Sequence, residues 1–523
     1  MAEQNNKRTD LEELYQRKAY LKDENRLEAV AKRHAKGMRT ARENIADLCD
    51  KDSFIEIASL IVAAQRGRRS MQELIAQTPA DGLIAGIGSV NGALFDKQQS
   101  KCFVLSYDYT VLAGTQGAFN HKKKDRLLDL VAEAEKPIVF FVEGGGGRPG
   151  DVDFDLIALG GLNIPTWVKL SKLSGKVPIV AIAAGYCFAG NAAIAGCADV
   201  IIATENTSLG MGGPAMIEGG GLGKFHPKEI GPADVQYKNG VIDVLVKDEA
   251  EAVVAAKKYL SYFQGETKDW TCADQSILQT LIPENRKFAY NIFKVINALC
   301  DEGSVLELRG GFAKNMVTAL VRVEGKPIGL IANSTRHLGG AIDSDASDKA
   351  ARFMQLCDAF GLPILSLCDA PGFMVGPDCE KTGMVRHASR LFLTGANLNV
   401  PILTIVLRKA YGLGAMAMAG GSLHASFFTI AWPTAEFGAM GLEGAVKLGF
   451  KKELEAQKST EDKQALYEKL VKASYRKGMA MNAATSLEFD EVIDPKDSRK
   501  WIATALESIP TKKIERKKYI DSW

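Results

Sequence analysis

The sequence predicts a duplicated α/β fold, two tandem copies of one unit behind an N-terminal helical arm. Three observations predict it: segments that recur in order at a near-constant offset, short β-branched runs alternating with helical stretches, and an opening stretch with helical periodicity. The recurrence is visible by eye. Pro137 opens PIVFFVEGGGGRPGD and Pro363, 226 residues later, opens PILSLCDAPGFMVGPD. VPIVAIAAGYCFAGNAAIAG from Val177 returns as VPILTIVLRKAYGLGAMAMAG from Val400, an offset of 223. ATENTSLGMGG from Ala203 returns as AWPTAEFGAMG from Ala431, an offset of 228. Three matches in the same order imply gene duplication of one unit.

Along the chain, residues 8–48 carry Ala, Leu, Glu and Lys at helical spacing, which predicts exposed helices that pack one face on the body, an arm over residues 1–60. From Asp81, runs such as CFVLSYDYTVLAG and KPIVFFVEGGGG alternate with helical stretches such as KKKDRLLDLVAEAEK, the signature of a layered βα domain. The first domain is expected over 61–280 and the second over 281–523. The turn-rich pieces QGETKDWTCADQS and LIPENR mark the boundary region.

Composition bounds the function. A chain of 523 residues exceeds one ordinary core, and 46% hydrophobic with 24% charged residues is globular. Lys plus Arg (65) nearly cancels Asp plus Glu (63), so no global field draws nucleic acid or anionic lipid, and an anionic ligand must be held locally. The nine cysteines form no C-x-x-C pair, which predicts reduced thiols rather than disulfides or zinc ribbons. The start is polar, without an apolar leader, and no later stretch stays uncharged for the roughly 20 residues a membrane helix needs. The expected location is the cytoplasm, with no membrane and no nucleic acid as partner.

The chemistry is expected in the repeated turns. In each copy an apolar strand ends in a small-residue turn: CFAGNAAIAG in the first, YGLGAMAMAG in the second. Such a turn leaves backbone N–H groups without helical partners, where negative charge is favoured. Ala189–Gly190 and Leu413–Gly414 are therefore candidate oxyanion holes. Small side chains allow an oxygen to come within about 2.7–3.1 Å of the donors. A single turn of this kind serves close packing equally well. The duplication, with a second glycine turn in each half (Gly144, Gly145, Gly146 and Gly147; Gly372 with Phe373), points instead to two anion sites in one protein.

Other motifs fail on inspection. GGGLGKF at 219–225 lacks the phosphate-loop spacing, because Glu218 and Phe225 stand where Gly and Ser or Thr are required. There is no G-x-S-x-G elbow, and the six histidines have no metal-ligand spacing, so neither a metal nor a serine nucleophile is expected. His387 is either a base or, beside Arg386, a structural residue. The basic runs HKKKDR (121–126) and KKIERKK (512–518) read as solvated faces.

These residues resemble the carboxyltransferase subunits of biotin-dependent acyl-CoA carboxylases, such as the β-subunits of propionyl-CoA and methylcrotonyl-CoA carboxylase. The likeness runs through TARENIADLCDKDSFIEI (40–57), DGLIAGIGSVNG (81–92), SYDYTVLAGTQG (106–117) and FAKNMVTALVRVEGKPIGLIAN (312–333). It is strongest in CDAFGLPILSLCDAPGF (357–373), RKAYGLGAMAM (408–418) and AWPTAEFGAMGLEGAV (431–446). The resemblance implies two crotonase-like domains, each a ββα spiral, in a homohexamer with active sites between the N-domain of one subunit and the C-domain of another. It implies a carboxyl transfer from carboxybiotin to the α-carbon (or vinylogous carbon) of an acyl-CoA through an enolate, without a side-chain base. Ala189 and Gly190 would serve the acyl-CoA side, Leu413 and Gly414 the biotin side.

The chain departs from the family pattern at named places. It reads Gly412-Leu413-Gly414-Ala415 where relatives carry G-G-A, Met416 where several carry Asp, Cys187-Phe188-Ala189-Gly190 for C-A-G-G, and Glu143-Gly144-Gly145-Gly146 for the serine-glycine-glycine turn. Phe188, Leu413 and Met416 either shape a pocket for a longer or branched acyl chain or pack the core. RKGMAMNA (476–483) has no lysine between its methionines, so the A-M-K-M biotin-attachment signature is absent, as is a biotin-carboxylase phosphate loop. Biotin carboxylase and carrier functions are expected from partner subunits. Decarboxylation by the same chemistry in reverse, and a non-catalytic scaffold, remain the competing functions.

Overall fold

The computed structural model describes residues 8–148, 150–153, 162–510 and 519–523. The basic run at 512–518 lies outside the described residues. The chain divides into two compact units between Gln264 and Gly265. Residues 265–280, expected in the first domain, belong to the second. Hydrogen bonds decide this: Gln264 Nε2 donates to Val90 O and Gln99 O of the first unit, whereas Thr267 N donates to Gly325 O of the second.

The first unit opens with helices α1 (Thr9–Ala19), α2 (Leu27–His34) and α3 (Ala41–Leu48). The T-x-x-E of the opening segment is a capping box on α3: Glu43 N donates to Thr40 Oγ1 at 3.1 Å and Thr40 N to Glu43 Oε2 at 2.7 Å. The sheet uses β1 (Ile55–Glu56), β2 (Leu83–Ser89), β3 (Lys101–Tyr107), β4 (Ile138–Phe141), β5 (Ile179–Ala183), β7 (Val200–Thr204) and β9 (Val244–Val246), in that spatial order. β1, β2 and β3 pair antiparallel and the rest parallel. A side ribbon pairs β6 (Tyr186–Phe188) with β8 (Ser208–Gly210). The inner strands are unbroken apolar runs because helices such as α4 (Ala118–Ala134) cover the sheet; every residue of β4 and β5 is buried. The short helix α5 (Gly190–Gly196) follows β6.

The second unit repeats the plan with β10 (Leu306–Leu308), β11 (Met316–Val323), β12 (Lys326–Asn333), β13 (Ile364–Ala370), β14 (Ile402–Tyr411), β15 (Phe428–Ala431) and β17 (Glu491–Val492). β16 (Glu436–Gly438) pairs the end of β14. Helix α6 (Ser344–Phe360) covers the sheet, and α7 (Gly412–Met418) follows β14. Register makes the duplication literal. Ile138 pairs Phe103 and Ile179, and 226 residues on, Ile364 pairs Gly329 and Ile402. Phe188 pairs Gly210 as Tyr411 pairs Gly438. Trp432, wholly buried in the second core, donates its indole N–H to Ser498 Oγ at 2.8 Å.

The HKKKDR run is not a solvated face. Lys123 and Lys124 lie buried on the inner side of α4, where Lys123 Nζ donates to Leu83 O at 2.5 Å and Lys124 Nζ to Tyr107 OH and Gln116 Oε1, each at 2.9 Å. Burial pulls Lys123 down to about 8 and Lys124 to about 7. Between those values and the unfolded value near 10.4 the unfolded chain binds more protons, so stability rises with pH and is lost as pH falls through 8 and 7. The urea midpoint is therefore expected to climb from pH 7 to pH 9.5, and to climb less steeply in Lys124→Met. Equal slopes in both proteins would refute the assignment.

Candidate active site

Each unit brings a glycine turn after its second parallel strand against the turn that opens its short helix. In the first unit Gly144 N donates to Tyr186 O at 2.8 Å and Phe188 N donates back to Gly144 O at 3.0 Å, stitching the glycine loop to β6. A Cβ on Gly144 would stand 2.2 Å from Gly114 O and 2.3 Å from Asn191 Nδ2, so no larger residue fits. Gly146 has φ +84°, and its Cβ would meet Ala189 Cβ at 2.7 Å and lie 3.7 Å from Gly190 N. The loop and the turn therefore converge on Gly190. Gly145 is exposed between the buried Gly144 and Gly146.

Ala189 differs from its expected part. It holds φ 52°, ψ −121°, a costly conformation for a residue with a Cβ, and its N–H already donates to Gly210 O at 3.1 Å. Gly190, in the first turn of α5, keeps a backbone N–H without an intrahelical partner. The Ala189 N–H is thus already engaged within the fold, while Gly190 stands against the glycine loop.

In the second unit the approach is as close, and here it is against backbone atoms. A Cβ on Gly414 would stand 2.7 Å from both Gly372 Cα and Gly372 C, and 3.1 Å from Phe373 N. Leu413 and Gly414 both lie in the first turn of α7. Gly412, with φ +55°, takes the place of Ala189, and its Cβ would meet Ala439 O at 2.7 Å. Strand register therefore matches Ala189–Gly190 to Gly412–Leu413. Leu413–Gly414 stands one residue further along, and Gly414 matches Asn191.

An acidic residue braces each glycine turn from behind. Asp369, wholly buried, accepts from Arg408 Nε at 3.0 Å and Lys409 N at 3.1 Å. Glu143 accepts from both terminal nitrogens of Arg33, a residue of α2. Burial raises Glu143 to about 7 against the pull of Arg33. The helical arm, read from sequence as peripheral, thus supplies the cation behind the first turn. Nothing in the sequence flags Arg33, because its partner lies 110 residues away.

The apolar departures separate. Phe188 is buried, stacked 6.0 Å from Tyr186 and packed behind Gly213. Leu413 is 62% exposed and Met416 42%. Met416, with Gly412 and the buried Ala415, lines a cavity of about 670 Å³ whose other walls include Phe437, Leu442 and Leu487. Phe373 lies on the other side of the turn, 6.1 Å from Phe392. His387 is held at 2.7 Å by Asp348, which also binds Arg390, the arrangement of a structural histidine. Among the described residues no cluster of three His, Cys, Asp or Glu side chains could hold a metal, and no helix is long and apolar enough to cross a membrane.

Paired backbone turns built on small residues are suited to stabilising oxyanions. The carboxyl transferase domain family matches residues 32–520. The propionyl-CoA carboxylase beta chain of Saccharopolyspora erythraea is 33% identical, over 93% of this chain and 91% of that one. A solved single-chain, multi-domain long-chain acyl-CoA carboxylase is 55% identical with a TM-score of 0.90, covering 95% of this chain, which spans about half (49%) of that protein. The transcarboxylase 12S hexamer with methylmalonyl-coenzyme A bound is 30% identical with a TM-score of 0.83, covering 98% of both chains. Its two α/β units are thus of the crotonase-like kind, and the chain belongs to the carboxyl transferase domain family as a carboxyltransferase of the acyl-CoA carboxylase type.

Proposed function

We propose that this chain carries a carboxyl group between biotin and the α-carbon of a long-chain acyl-CoA, working as a hexamer with biotin attached to a separate carrier domain or protein. The observation that carries the reading is the convergence of two glycine turns in each half, at distances that no side chain would survive. The first-half donors, Gly190 with the Gly144–Gly146 loop, suit the thioester oxygen, on which charge grows as the α-proton leaves. Leu413, Gly414 and Phe373 suit the ureido oxygen; the Gly414 cradle, too tight for a Cβ, fits a flat polar group. Biotin supplies the carboxyl group, and this chain supplies fixed dipoles, proximity and exclusion of water. Likeness to the long-chain carboxylase, 55% identical over 95% of this chain, supports the substrate class. The 12S relative supports the hexamer. All nine cysteines are free, which suits the cytoplasm.

The test is biotin-dependent decarboxylation by the purified chain. Malonyl-, methylmalonyl-, methylglutaconyl- and a long-chain 2-carboxyacyl-CoA are offered with free biotin. The long-chain thioester is expected to give the highest kcat/KM. Faster turnover of a short one would overturn the substrate class, and silence across the panel from an assembled hexamer would overturn the reading of the turns.

A further inference from the structure

Resting on that reading of the first-half turn, we infer that Gln116, fixed by Lys124, is a positioning residue that holds Gly190 at a set distance from the Gly146 loop through Asn191. Gln116 lies beneath both turns. Its backbone N–H donates to Gly146 O at 2.6 Å, and its side-chain Nε2 donates to Asn191 Oδ1 at 3.0 Å. Asn191 Nδ2 in turn donates to Gly114 O at 3.3 Å. Lys124 Nζ holds Gln116 Oε1, and Tyr107 OH holds Lys124. The amide presses directly on the turn, for a Cβ on Gly190 would stand 2.9 Å from Gln116 Nε2.

The second half shows that the fold does not need this network. Ile342 occupies the place of Gln116: its N–H donates to Gly372 O at 3.1 Å and its carbonyl accepts from Met374 N at 2.8 Å, just as Gln116 O accepts from Arg148 N at 2.9 Å. Helices α4 and α6 have equal length, which sets Lys124 against the buried Ala350, whereas Lys123 keeps a buried lysine counterpart in Lys349. Strand register sets Asn191 against Gly414 and Tyr107 against Asn333. In the second half the spacing of the two turns is fixed by backbone against backbone, at Gly414 and Gly372. In the first half Asn191 stands between them, so side chains must fix the spacing. Burying an amine and two amides is unfavourable unless each is hydrogen-bonded, and here each is.

The experiment uses the full chain in the biotin-dependent decarboxylation assay, comparing wild type with Gln116→Ile and with Gln116→Ile/Lys124→Ala, the residues the second half already carries. The double variant leaves no lysine facing a lost partner, so it tests the idea even where the single variant folds poorly. Both are expected to lose roughly tenfold to a hundredfold in kcat, the cost of a small misplacement, with acyl-CoA KM within about twofold. The two losses should be equal, because the pair acts as one unit. The exposed neighbour Lys122→Ala should leave the rate unchanged. A double variant with wild-type kcat, or a loss matched by an equal rise in KM, overturns the inference. An inactive wild type would instead indict the functional reading on which it rests.

Discussion

Gly414→Ala is expected to lower biotin-dependent carboxyl transfer by roughly two to three orders of magnitude, the scale of losing one fixed donor to an oxyanion. The added methyl would stand 2.7 Å from Gly372 Cα and C, and 3.1 Å from Phe373 N. These are backbone atoms, with no flexible side-chain end to swing away. Nor is the glycine turn free to retreat, since Gly372 O accepts from Ile342 N and Met374 N donates to Ile342 O. The two turns must part, and donors aimed at one point come to aim at two. Thermal melting should drop by only a few degrees, because the contact lies at the rim of the sheet and not in the core. Gly449→Ala, where a Cβ meets nothing within 4 Å, is the control. A Gly414→Ala enzyme within fivefold of wild type would remove this turn from the site.

The architecture was legible because duplication writes itself twice. The offsets of 226 and 223 map onto strands with matching register, and the glycine clusters fall where the turns converge. The phase within the second turn was not legible. GLGA offers two glycines, and only the pairing of Tyr411 with Gly438 shows that Gly412, not Leu413, matches Ala189. Neither was the use of the Ala189 N–H, whose acceptor Gly210 sits on another strand. Lys123 and Lys124 misled for a related reason. A run of three lysines reads as solvated, yet a helix points its residues to different sides, and the partners Leu83, Tyr107 and Gln116 are set by packing rather than by neighbouring letters. Leu413 and Phe188 look alike in sequence, but one faces out and the other packs.

The largest stability effect is expected at Asp369. Asp369→Leu leaves Arg408, itself almost wholly buried, without its carboxylate, and stranding one partner of a buried pair costs about 3–5 kcal/mol. Arg408 keeps its bond to Phe288 O at 2.8 Å and its place 5.0 Å over the Tyr290 ring, and neither is a carboxylate. Replacing both partners, Asp369→Leu/Arg408→Met, removes the stranded charge, and urea unfolding should recover most of the lost stability. Activity should not recover with it. Asp369 also accepts from Lys409 N at 3.1 Å, and Lys409 begins the three residues that lead into Gly412. With no acceptor there, the end of β14 loses one of the bonds that hold it just before the Leu413–Gly414 turn. A double variant restored in both stability and rate would show that the pair merely fills the core. Restored stability with a rate still at least tenfold down would show that the acid braces the turn through its bond to the Lys409 backbone N–H.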